Sequence, residues 1–383
     1  MRKDVVLAPG PTQVPPQILA ASAKPTIHHR TPQFEAIFAD VSKRLQEVFQ
    51  TQSPVITFAA SGTGAMESAV VNLLSPGDKA ITVEAGKFGE RWGELCKAHG
   101  VKNVAITCEY GDVVEAAQVA EALKANPDAK AVFTTLSETS TGVLSPIEQI
   151  AALTSKTDAI LVVDGISGLG ADVLRTDAWG VDVAISGSQK ALMLPPGLAF
   201  VSINDRAQAR MAESTCAKYY FSWAKALKTL AENTTAFTPA VNMIYALQAS
   251  LDMILGEGME EVWARHARLA SALRAAAKAM DLELFAKAPA NNVTAIRVPD
   301  RVEGGKIPKI MRDKHGITIA GGQGTMKGQI FRIAALGWCN TFDVTTALSA
   351  LELTLSELGY PVEHGKAVGA ALDVLAGRVG AAV

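Results

Sequence analysis

Between about residues 54 and 205 the chain alternates short apolar runs with helical stretches, and this narrows its fold more than any other feature. The apolar runs are Val55–Phe58, Lys79–Val83, Asn103–Thr107, Ala131–Thr135, Ile160–Val163, Val181–Ser186 and Ala199–Ser202. Helical spacing falls between them at Ala65–Leu74, Glu90–His99, Glu115–Lys124 and Ile147–Leu153. Short strands that are apolar on both faces must be covered on both faces, and helical crossovers bring successive strands back parallel. The expected class is therefore α/β: a large domain whose mostly parallel central sheet is sandwiched by helices. In such sheets ligands collect at the carboxyl ends of the strands.

The flanks read differently. Leu7–Pro16 holds four prolines in ten residues, which fixes φ and removes donors, so an extended arm is expected. A helix is expected from about Thr31 to Phe49, with Phe34, Ile37, Phe38, Val41, Leu45 and Val48 on one face and Pro32 in its first turn. After Pro239, Met243, Leu247, Leu251 and Ile254 predict a helix broken by Gly256 and Gly258. Glu260–Met280 is expected as the next helix. Beyond it, strands at Val293–Val298, Ile317–Ala320 and Gln329–Ile333 mix with helices at Ile307–His315 and Val344–Leu358, a smaller α+β unit. The tail 366–383 reads as a further short helix. The expected division is an arm over 1–20, a large domain over 21–255 and a small C-terminal domain over 256–383.

Composition removes several classes of partner. With 36 basic against 38 acidic residues, no basic field exists to grip nucleic acid. No apolar run reaches membrane-spanning length, and Met1–Asp4 lacks a signal-peptide core, so a cytoplasmic protein is expected. Cys96, Cys108, Cys216 and Cys339 are scattered, without zinc spacing to each other or to histidine, so no metal site is expected.

Three pieces carry chemistry, and each comes just after a strand. Ser61-Gly62-Thr63-Gly64 opens an apolar helix; its glycines admit an anion close to free N–H groups at the positive end of the helix dipole. No Gly-Lys-Ser/Thr comes after it, so a nucleotide triphosphate is not favoured. Asp164 ends the run Ile160–Val163, where a carboxylate serves either as a cap or as counter-charge to a cation. Lys190, in Ser186-Gly187-Ser188-Gln189-Lys190, is followed by Leu192-Met193-Leu194-Pro195-Pro196-Gly197. A lysine in such an apolar turn is desolvated, and desolvation frees its neutral amine as a nucleophile. An anion cradle, an acid and a lysine at strand ends are what a protein needs to hold pyridoxal phosphate through a Schiff base.

The chain resembles the class V (fold-type I) pyridoxal-phosphate aminotransferases, nearest their alanine–glyoxylate / serine–pyruvate branch, from Pro9-Gly10-Pro11-Thr12 almost to residue 360. The resemblance implies a phosphate loop at Ser61, Gly62 and Thr63, and a ring-stacking aromatic at Phe88. It implies a hydroxyl near the ring oxygen at Thr139, a pyridinium partner at Asp164 and an apolar floor at Ile166. Gln189 matches a phosphate ligand and Lys190 the Schiff-base lysine. Arg332, in Phe331-Arg332-Ile333-Ala334, matches the arginine that grips the substrate carboxylate, and Gly10 and Pro11 line the substrate pocket. Thr238-Pro239 matches a segment that reaches the partner subunit's cofactor phosphate, which implies a homodimer. Where relatives carry a tyrosine three residues earlier, this chain has Thr235.

The implied reaction is ping-pong transamination between a small L-amino acid (alanine, serine or aspartate) and a small 2-oxo acid (glyoxylate or pyruvate). Lys190 acts as base and then acid. Arg30 offers a second positive charge for a dicarboxylic donor, or a purely structural one. Two rivals remain. A cysteine desulfurase-like lyase on the same fold would need a mobile thiol, for which Cys339 is the late candidate. A non-catalytic scaffold or redox-complex subunit would retain the fold without turnover.

Overall fold

The computed structural model describes residues 4–378. The seven runs expected between 54 and 205 form one sheet. Its strands are β1 (Val55–Phe58), β2 (Lys79–Glu84), β3 (Lys102–Thr107), β4 (Ala131–Thr135), β5 (Ile160–Asp164), β6 (Val183–Gly187) and β7 (Ala199–Ile203). Their spatial order is β1-β7-β6-β5-β4-β2-β3. Pairings among β2, β3, β4, β5 and β6 are parallel, and β7 alone runs against its two neighbours.

The inner strands are apolar because each face has its own cover, whereas the edge strand β3 is mostly exposed. Leu161 and Val163 join one buried cluster with Val41, Leu45 and Leu247, while Val162 between them joins another with Met66, Val70 and Trp92. That alternation is the period-2 rule acting on a sheet buried on both sides. Full burial of each such side chain stabilises by about 1.5–3 kcal/mol. Trp92 stacks on Phe133 of β4 with centroids 4.6 Å apart, which fixes the helix Lys87–Ala98 on the sheet. This helix starts three residues earlier than its apolar spacing predicts, so Phe88 lies in its first turn.

The C-terminal unit holds a three-stranded antiparallel sheet in which Ile330–Ala334 lies between Val293–Arg297 and Ala320–Gly321. The run 317–320, expected as one strand, is divided between two sheets. Ile317–Thr318 pairs in parallel with Val5–Val6, whereas Ala320–Gly321 pairs with Ile330–Ala334. Val5 and Leu7 thereby join the C-terminal core with Leu273, Phe331 and Leu351. Gly256 does not break its helix, which runs Val241–Glu257 and stops at Gly258, where φ is +88°. The tail helix is Lys366–Leu375, and the expectation for residues 379–383 lies outside the described residues. Among the described residues no helix is long and apolar enough to cross a membrane.

Candidate active site

Strands β5 and β6 are parallel neighbours, with Asp164 opposite Ile185, so the residues after each strand emerge at the same edge of the sheet. This delivers Asp164 and the turn 186–190 to one place. Asp164 is 3% exposed, and one carboxylate oxygen accepts a 2.8 Å hydrogen bond from the Ile166 N–H. Burial pushes its pKa up to about 7 against that bond; the charge of Glu138 adds to the rise, while Arg91 and Lys190 oppose it.

The Lys190 amine donates to the carbonyl of Pro9 in the arm. Burial lowers its pKa to about 8; the Asp164 charge opposes this, and Arg332 and Arg91 reinforce it. Lys190 is thus closer to a neutral nucleophile than an exposed lysine. The arm is tied to the same turn by Thr12, whose N–H donates to the Gln189 carbonyl (3.1 Å) and whose hydroxyl donates to the Lys190 carbonyl (3.0 Å). Gly10, at φ +121°, is required here: a Cβ would stand 2.6 Å from Lys190 Cδ. Pro11, next in the arm, is exposed.

The helix Gly62–Leu73 begins directly after Ser61, whose side chain makes no capping bond. Ser61 and Thr63 are exposed at that helix start, where the first N–H groups lack partners within the helix. Gly62 backs onto Ile166, and a Cβ there would sit 2.5 Å from Ile166 Cδ1. The glycine therefore lets the start of this helix close against the residue two after Asp164. Phe88 is half-buried, with the Arg91 guanidinium 5.0 Å from its ring centroid. Arg91 also donates to the Thr63 hydroxyl at 3.2 Å.

Arg332 comes from the other unit. It lies in the middle strand of the C-terminal sheet and is 3% exposed. Its guanidinium donates to the Gly321 carbonyl through Nε (3.0 Å) and Nη2 (2.7 Å), and to the Thr139 carbonyl through Nη1 (2.7 Å). Burial lowers its pKa to about 10, partly offset by Glu138. Carbonyl dipoles orient this cation without neutralising it, which suits a site for an incoming carboxylate. Thr139 is buried, and its hydroxyl donates to the Ser167 hydroxyl at 2.6 Å.

The description "Aminotransferase class-V" belongs to the family model that matches residues 7–339, which spans every one of these positions. The chain belongs to the aminotransferase class-V family. It is 42% identical over 97% of its length to a protein of Synechococcus named the small subunit of a soluble hydrogenase, of which it covers 98%. It is 36% identical over 96% of its length to an L-aspartate–glyoxylate aminotransferase of Paracoccus denitrificans, of which 95% is covered. Among solved structures, it is similar to ureidoglycine–glyoxylate aminotransferase from Bacillus subtilis, with a TM-score of 0.94 and 29% identity. That match covers 98% of this chain and 99% of the other.

Within this class-V aminotransferase, Thr238 is not brought to the Lys190 cluster. It lies on a cavity lined by Phe58, Tyr220, Thr235, Phe237 and Pro239. There Tyr220 stacks on Phe237 at 5.2 Å, and Tyr219 is 71% exposed. Thr235 spends its hydroxyl on the Phe237 carbonyl at 2.8 Å. Arg30 is exposed and donates to the Thr234 hydroxyl at 2.8 Å, on that same surface rather than beside Arg332. Sequence reasoning missed Pro9 and Glu138. A backbone carbonyl carries no sequence signal. Glu138 did carry one, as the single charged residue between Ala131 and Gly142.

Proposed function

We propose that this enzyme transfers an amino group from a small L-amino acid (alanine, serine or aspartate) to glyoxylate or pyruvate, using pyridoxal phosphate. The observation that carries this reading is the buried Asp164 emerging from a strand beside the turn that carries Lys190, with the charges of Asp164 and of the buried Arg332 both acting on the Lys190 amine. The donor set suits the cofactor. Ser61, Gly62, Thr63 and Gln189 would hold its phosphate, with Thr238 of the second copy in a homodimer. Phe88 and Ile166 would bracket the ring, and Thr139 would stand near the ring oxygen. When bound, pyridoxal phosphate supplies an aldehyde that condenses with amines and a ring that draws electrons from the substrate α-carbon.

The chain's own residues do the rest. Arg332 binds the substrate carboxylate and orients the α-carbon. Asp164 would balance the positive charge of a protonated ring nitrogen, which would in turn keep the aspartate ionised. The Lys190 amine would hold the cofactor. As a free neutral amine, its Nζ would take the proton from the substrate α-carbon and hold it as an ammonium for return. Gly10 and Pro11 line the pocket beside that amine. The exposed aromatic surface around Thr238 supports the dimer. The four unpaired cysteines support a cytoplasmic location. The end of the helix Val241–Glu257 at Gly258 and the separate C-terminal core support a boundary close to 256 between a large domain over 21–255 and a small one over 256–383, while the arm over 1–20 gives Val5 and Leu7 to the small domain's core.

The desulfurase-like reading is disfavoured because Cys339 is 4% exposed and burial pushes its thiol up to about 12. The hydrogenase-subunit name of a relative keeps the second reading in play, a complex subunit without turnover. One experiment separates them: single-turnover mixing of the pyridoxal-phosphate-loaded protein with alanine, serine or aspartate, following cofactor absorbance, then with glyoxylate. Loss and recovery of the absorbance with a stoichiometric keto acid is expected. A protein that binds no cofactor, or holds it without reacting, overturns the reading.

A further inference from the structure

Glu138 takes no part in the proposed chemistry, yet it is 1% exposed and collects donors from two directions. One oxygen accepts from the N–H of Phe88 (3.1 Å) and of Gly89 (2.9 Å). The other accepts from the Ser140 N–H (3.0 Å) and from the Ser140 hydroxyl. That hydroxyl in turn accepts from the Lys87 N–H at 3.0 Å. Lys87, Phe88 and Gly89 open the helix Lys87–Ala98, where N–H groups lack partners within the helix. The residue before them, Gly86, has no side chain to cap with, and a Cβ there would meet Glu138 Cγ at 2.5 Å. An acid some fifty residues away thus replaces the missing cap, with its charge at the favourable end of the helix dipole. Thr139, between Glu138 and Ser140, gives its carbonyl to Arg332.

We propose that Glu138 is a positioning residue: it caps the helix that carries Phe88 and holds that helix in register with Arg332. One turn, 138–140, then sets both the seat for the cofactor ring and the seat for the substrate carboxylate. The inference rests on the roles proposed above for Phe88 and Arg332. An ordinary stabilising cap would affect folding alone, whereas a positioning residue must act through Phe88.

The test is a double-mutant cycle on pyridoxal phosphate binding, read by quenching of tryptophan fluorescence in the apo protein. Glu138→Gln keeps the shape but turns one acceptor into a donor facing N–H groups. It is expected to weaken binding at least about tenfold, as for buried N–H groups that lose an ionised acceptor. In a Phe88→Ala background the same change is expected to cost little more. The donor KM should also rise in Glu138→Gln, because Thr139 moves with it. Wild-type affinity in Glu138→Gln, or an equal loss in both backgrounds, overturns the inference. An unchanged KM overturns the link to Arg332. Should Glu138→Gln not fold, Ser140→Ala removes only the hydroxyl bridge and is expected to weaken binding about threefold or more; unchanged affinity there is equally fatal. If the wild-type protein itself does not bind pyridoxal phosphate, the functional reading fails first and this inference with it.

Discussion

The carbonyl of Thr139 accepts a 2.7 Å hydrogen bond from Nη1 of Arg332, across 193 residues of chain. It joins the large sheet's loop edge to the C-terminal unit, and it aims a buried cation without cancelling its charge. Arg332→Lys keeps the charge and loses the fork that Thr139 and Gly321 hold. The amino-donor KM is expected to rise about tenfold to a hundredfold, with kcat changed less. Steady-state kinetics with alanine, serine and aspartate check this, and an unchanged KM removes Arg332 from the carboxylate site.

The Lys190 amine, lowered to about 8, should react with electrophiles well below the range of an ordinary lysine near 10.4. Borohydride trapping of pyridoxal phosphate on the apo protein, with the labelled peptide identified by mass, should rise with pH through a midpoint near 8. Lys190→Ala should leave that peptide unlabelled and lower transamination by about a hundredfold or more. A midpoint near 10 would mean that the amine is solvated.

Asp164 makes the stability of the apo protein depend on pH. Its folded pKa, about 7, lies above the unfolded value, so between about pH 4 and 7 the native state keeps a proton that the unfolded chain releases. Its contribution is complete below about pH 4 and is lost as pH rises through 7. Asp172, pushed up to about 6 by burial, acts in the same direction. Urea unfolding at several pH values should therefore show a smaller decline from pH 4 to 7 in Asp164→Asn than in the wild type. Equal declines would place Asp164 in water.

Gly10→Ala forces a side chain into a left-handed conformation and against Lys190. The expected loss is about 1–3 kcal/mol of stability in urea, together with slower cofactor trapping at Lys190. A variant that traps the cofactor at the wild-type rate would show that the arm does not lie over the amine.

The sheet was legible because its inner strands are covered on both faces, so Val162 and its neighbours had to be apolar without interruption. Lys190 and Asp164 were legible because charges at the ends of such runs are conspicuous. The division of 317–320 between two sheets was not. Nothing local marks the change of partner, which depends on Val5–Val6 arriving from the far end of the chain. The early start of the helix at Lys87 was equally hidden, because its cap is Glu138 rather than a neighbouring residue.

By itself, then, the order of residues determined the strand–helix alternation, the family and the residue types able to do the chemistry. These come from periodicity and from side-chain identity, which are local. Tertiary structure alone decided that Pro9 takes the Lys190 amine, that Thr139 aims Arg332 and that Glu138 caps the helix of Phe88. Each is a contact between distant segments, made by a backbone group or a buried acid whose partner is set only when the two units pack.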